Sequence, residues 1–112
     1  MGLFNKLFGR GEKTKNATAQ YLFNEAKNTA VFTTKDAFQG APILFASHND
    51  DGDWQFHTSD SPKLEEAMIV CLEEITKLDA TINQLHNLPC GWRAWRKSKN
   101  ADWEYAEDVL EE

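Results

Sequence analysis

Side chains with chemical potential are few in this 112-residue sequence, and they gather in three places. The first is His48-Asn49-Asp50-Asp51-Gly52-Asp53, with His57 shortly after. Three carboxylates around one glycine could hold Ca²⁺, which takes oxygen ligands. The EF-hand, however, spaces its ligands along a loop of about twelve residues and closes on a distal Glu, and this segment does neither. His48 and His57 flank the same turn and could meet at its base, where with Asp51 they would make a divalent-metal site. Two histidines without a fixed third ligand are a weak metal signature. A solvated hairpin turn is the simpler expectation.

The second place is the pair of cysteines, Cys71 and Cys90, each among apolar residues. They form no C-x-x-C spacing, so a structural metal or redox pair is not indicated. Free Cys packs as a small hydrophobe, and two buried free thiols are expected. A nucleophilic role would need a neighbouring base and electropositive surroundings. The third place is Gly91-Trp92-Arg93-Ala94-Trp95-Arg96, with Trp103 soon after. On a strand, Trp92, Ala94 and Arg96 point one way, and Arg93 and Trp95 the other. Each face then carries an indole and a cation. Trp and Arg are enriched in interface hot spots, and Arg also stacks on indole. Trp92, Arg93, Trp95, Arg96 and Trp103 are therefore candidates for partner contact, joined by Asp51 and Trp54 of the turn region. The alternative places one Trp in the core and packs another beneath an Arg stem.

No Ser-His-Asp arrangement, phosphate-binding loop, dinucleotide fingerprint or H-E-x-x-H helix is present in the sequence. Glu65, Glu66, Glu73 and Glu74 read as a solvated face, and the Asn16-Ala17-Thr18 sequon means little without secretion. The expectation is a protein without catalytic residues, bound metal or cofactor. The competing readings are a small metal-dependent or regulatory domain using His48 and His57, and a peripheral membrane adaptor.

The elements that must position these residues can be read from periodicity. Residues 1–11 place Leu3, Phe4, Leu7 and Phe8 opposite Lys6 and Arg10, as in a short basic amphipathic helix. Isolated helices this short are marginal in water, so a frayed tail is the plainer expectation. Gly2 does not complete a myristoylation signal, because Lys6 stands where Ser or Thr is wanted. Residues 17–27 have helix formers and a stripe through Tyr21, Leu22 and Ala26. Ala30–Thr34 is β-branched and aromatic, and Pro42–Ser47 is a second strand with Pro42 at its first position. Asp51-Gly52 is a strong hairpin signal, and Trp54–Thr58 alternates so that Trp54 and Phe56 share a face.

Leu64 through Leu78 fits a helical stripe, yet Met68–Leu72 is also a continuous apolar run of strand length. A helix apolar around most of its circumference must be buried on nearly all sides, so a short helix at 63–67, a buried strand at 68–72 and a helix from Glu73 are expected. That helix, or a pair broken near Asp79, uses Ile75, Leu78, Ile82 and Leu85 as its core stripe and stops at Leu88-Pro89. Residues 91–96 form the final strand, and residues 104–112 a weak acidic helix or tail. The fold class is thus α+β: a small antiparallel sheet of four to five strands against two or three helices. Residues 1–15 are a flexible segment, 16–103 one domain and 104–112 its acidic end.

Length and composition agree with one domain. Apolar content is 41%, with seven Phe and four Trp to build an aromatic core. The formal charge of −6 is uneven. Residues 1–15 and 91–100 are basic, while 16–90 and 101–112 are acidic. An acidic body speaks against nucleic-acid binding, which needs a basic face. No long apolar run or signal peptide stands out, which makes the cytoplasm the default compartment. A monomer or weak dimer is expected.

Several segments, in order, resemble one known family. They are Ala30–Thr34, Gly40–His48, Asp51–Phe56, Ile69–Ile75 and Leu85–Arg96. Together they span about two thirds of the chain. The stretch from about Thr29 to Trp103 resembles a bacterial family first catalogued as a domain of unknown function. That family was later grouped with the immunity proteins of polymorphic toxin systems, as the immunity protein 33 type. The resemblance implies a small α+β fold and neutralisation of a protein toxin by tight binding. It implies no catalytic residues. Where the family pattern has Asp-Pro at the helix break, this chain has Asp79-Ala80. An acidic body would suit a basic partner, because complementary charge speeds association.

Overall fold

The computed structural model describes residues 20–108. The amphipathic segment 1–11, the linker after it, residues 17–19 of the expected first helix and residues 109–112 lie outside the described residues. The fold is α+β. Six strands, β1 (Ala30–Thr34), β2 (Phe45–His48), β3 (Trp54–His57), β4 (Ala67–Cys71), β5 (Trp92–Trp95) and β6 (Glu104–Glu107), form one sheet. Their spatial order is β4-β1-β3-β2-β5-β6. β1 and β3 run parallel and the other pairs antiparallel, so the sheet is mixed rather than purely antiparallel. Two α-helices, α1 (Lys35–Phe38) and α2 (Leu72–Leu78), and two 3-10 helices, Leu64–Glu66 and Ala80–Leu85, complete it.

The Asp-Gly turn behaves as the sequence predicts. Gly52 takes φ 94°, open only to residues without the Cβ clash, and β2 pairs with β3 in register from Phe45↔His57 to His48↔Trp54. β4 then crosses to the far edge and pairs with β1. From there α2 and the second 3-10 helix carry the chain back over the sheet to β5. Leu72, Ile75, Ile82, Leu85 and Leu88 from this crossover meet Val31, Ala46, Trp54, Phe56, Val70 and Ala94 from the sheet in one buried cluster. The Glu74 carboxylate accepts a hydrogen bond from the Cys71 N–H at 3.0 Å, closing the start of α2.

Four expectations are corrected. Residues 104–107 are neither helix nor free tail: β6 pairs with β5 along Trp92↔Glu107 to Trp95↔Glu104, so β5 is interior to the sheet. The described part of 17–27 is not helical. Phe23 is drawn into the core, and the Leu22 N–H donates to Asn83 Oδ1 at 3.0 Å rather than to a neighbouring carbonyl. The strand at 67–71 is an edge strand, not a buried one, and Ile69 is 66% exposed. Leu78 leaves the core stripe: α2 ends there, Asp79 is extended, and the 3-10 helix that follows has a different period.

Candidate functional site

Strand alternation divides the candidate residues between two faces of the sheet. Trp54 lies on the covered face, 1% exposed, edge-on to Phe23 at 5.1 Å and stacked on Phe56. Its Nε1 donates to Glu25 Oε2 at 2.9 Å. Trp103 is also buried, beneath Arg96, whose guanidinium lies 4.2 Å from the ring centroid. Arg96 itself is 4% exposed. Burial removes Trp54, Trp103 and Arg96 from any contact surface, and they serve the core. Trp92 faces the same way and packs partly against that core. Asp51 is exposed in the turn, where its Oδ1 accepts from the Asp53 N–H at 3.0 Å.

Arg93 and Trp95 face the other side. Arg93 is exposed, pairs with Asp108 at 3.3 Å and lies 5.7 Å from the Trp95 ring. The strand registers extend this face into two rows. One runs Ile69, Phe32, Gln55, Ser47, Arg93, Ala106; the other runs from Ala67 through Thr34, His57, Phe45 and Trp95 to Glu104. Along these rows Phe32 is 36% exposed beside Ile69, whereas Thr34, Ser47 and His57 are buried. A hollow of about 600 Å³ opens at one end, lined by Phe45, Thr58, Asp60, Arg93 and Trp95 among others. A smaller one of about 230 Å³ lies by Phe32, Gln55, His57 and Leu64.

Two titratable groups at this end are shifted. Burial pushes the His57 imidazole below its ordinary value, with Asp36 pulling weakly the other way. The residue is 5% exposed; Nε2 meets Gln55 Oε1 at 2.9 Å, and Nδ1 has no partner among the described residues. Asp36 is held below the ordinary carboxylate value by hydroxyls of Thr34 and Thr58, helped by the Ala37 N–H.

His48 and His57 do not meet at the base of the turn. His48 pairs with Trp54 on the covered face, whereas His57 is three residues further along β3 and points to the open face. Among the described residues no group of three or more His, Cys, Asp or Glu could hold a metal ion. His48 instead meets Cys90, with Nε2 and Sγ 3.6 Å apart, and Cys90 is exposed rather than buried. Cys71 is half-buried. Sequence reasoning treated His48 and Cys90 separately, and nothing in a separation of 42 residues signals their meeting. It also missed Phe32, Phe45 and Ile69, because their exposure depends on which sheet face the crossover covers.

Comparison of the chain with models of protein families, with curated proteins and with solved structures finds no match in any of the three. No helix among the described residues is long and apolar enough to cross a membrane.

Proposed function

We propose that this chain is a protein-binding domain that meets its partner on the open face of the sheet, acting in the cytoplasm as an immunity-type neutraliser of a basic protein toxin. One observation carries the reading: the crossover covers one sheet face, while the other carries Ile69 beside Phe32 and, two strands on, Phe45 beside Trp95 and Arg93. Exposed large apolar side chains set among polar groups mark interaction sites. Trp and Arg at such a surface commonly carry much of the binding energy. The chain's net charge of −6 favours a basic partner and speeds its encounter.

The test uses partners captured by the full chain from native cells. Ile69→Glu and Trp95→Ala both change side chains of the open face, so each variant is expected to keep the wild-type melting temperature within a few degrees. Loss of a Trp hot spot should weaken capture about thirtyfold, the equivalent of about 2 kcal/mol. The captured protein, expressed alone, should arrest growth, and co-expression of the wild-type chain but not the Ile69→Glu variant should restore it. Equal capture by folded variants would contradict the reading.

A further inference from the structure

We propose that Cys90 is a covalently modifiable thiol, activated by His48, whose reaction partner is a low-molecular-weight disulfide. The proposal is independent of the open sheet face, since His48 lies on the covered side.

The tautomer of His48 follows from its partners. Nδ1 lies 2.7 Å from the Leu88 carbonyl oxygen, which can only accept, so Nδ1 carries the proton. The neutral ring therefore presents its Nε2 lone pair, and Cys90 Sγ is 3.6 Å from that atom. A thiol there donates to a base whose orientation is already set. The ring is stacked on Trp54 at 4.0 Å and 11°, which fixes its plane and offers a π-face to the imidazolium. Glu25 Oε2 stands 3.8 Å from the same Nε2, itself held by the Trp54 indole N–H at 2.9 Å. Gly91 ties the loop to β2 through its N–H to the His48 carbonyl at 2.6 Å. Cys90 is exposed, so a small disulfide can reach it.

Thiolate, not thiol, is the nucleophile. Proton transfer from Sγ to Nε2 gives a thiolate–imidazolium pair, with the Glu25 carboxylate stabilising the cation. The other charged groups facing this corner, Asp50, whose Oδ1 lies against Gly91, and Glu107 opposite Trp92, are anionic and oppose the thiolate, so the positive charge it needs comes from the His48 imidazolium. Asp108 lies alongside, paired with Arg93. The thiolate then attacks one sulfur of the disulfide. A bond forms between Cys90 Sγ and that sulfur as the original S–S bond breaks. The electron pair leaves on the other sulfur, which takes the proton from His48 and departs as a thiol. Cys90 is oxidised to a mixed disulfide and the departing sulfur is reduced.

The experiment treats the full chain with bis(2-hydroxyethyl) disulfide, an uncharged probe, between pH 5.5 and 8.5. Adducts are located by peptide mass spectrometry, and the native chain is compared with the same chain unfolded in urea. At pH 6.5 native Cys90 should react about fivefold faster than unfolded Cys90, because only the folded chain sets His48 Nε2 where it can take the thiol proton. It should also outpace native Cys71. His48→Asn and Glu25→Gln should each lose most of that advantage, and Glu25→Gln keeps an oxygen for the Trp54 N–H. A pH profile for native Cys90 that matches the unfolded chain, or faster reaction at Cys71, would overturn the proposal.

Discussion

Arg96 spends every nitrogen it has. Its Nε donates to the Ile43 carbonyl at 3.0 Å, Nη1 to Thr81 Oγ1 and the Lys99 carbonyl, and Nη2 to Asp79 Oδ2 at 2.9 Å. Burial pulls its pKa below the ordinary value, and Asp79 opposes that shift. Removing one member of a buried pair strands the other charge, at about 3–5 kcal/mol. Asp79→Asn and Arg96→Met each remove one charge of the pair and are expected to lower stability by about that much in urea unfolding. His57 supplies a second prediction. Its folded pKa lies below the unfolded value of about 6.5, so in acid the unfolded chain binds a proton that the folded chain refuses. The stability present above pH 6.5 is lost as pH falls from there toward the folded pKa. His57→Gln should flatten the melting temperature across that window. The loss carried by Asp36, which begins only as pH falls below about 4, should remain. Alternation alone puts Arg96 on the same face as Ala94, but its burial depends on Asp79, 17 residues away in sequence. Only the folded chain brings the two together.

Elements explain where sequence patterns carried and where they did not. The β2–β3 hairpin was legible because its turn chemistry is local: Asp-Gly, positive φ and the shared face of Trp54 and Phe56 need no distant partner. β6 was not legible, because Glu104–Glu107 has a charged, tail-like composition and becomes a strand only by pairing with β5. Residues 20–27 failed for the opposite reason: a helical stripe yielded to tertiary anchoring of Phe23 and Leu22. Gly91, in the turn leading to β5, has φ 83°, where an L side chain costs about 1–2 kcal/mol. A Cβ there would also meet Asp50 Oδ1 at 2.6 Å, although that exposed carboxylate can swing aside. Gly91→Ala should therefore destabilise by about 1–2 kcal/mol in thermal or urea unfolding. It should also slow Cys90 modification, since the turn sets the thiol against His48.

At the scale of the molecule, a single helical layer over a six-stranded sheet leaves a face whose apolar residues come from four strands, β1, β2, β4 and β5. Composition pointed to one aromatic-rich domain, and periodicity to the α+β class, but neither could say which aromatics would be left outside. The acidic net charge predicts that association with a basic partner slows as salt rises, while dissociation changes less; stopped-flow mixing across an ionic-strength series checks this. The most direct measurement of the binding account is site-specific photo-cross-linking in native cells. Ile69→p-benzoylphenylalanine and Phe45→p-benzoylphenylalanine sample the open face, and Gln84→p-benzoylphenylalanine samples an exposed position on the helical layer. The account predicts that the first two capture one and the same protein and that position 84 captures nothing. Capture confined to position 84 would place the partner on the helical side and contradict it.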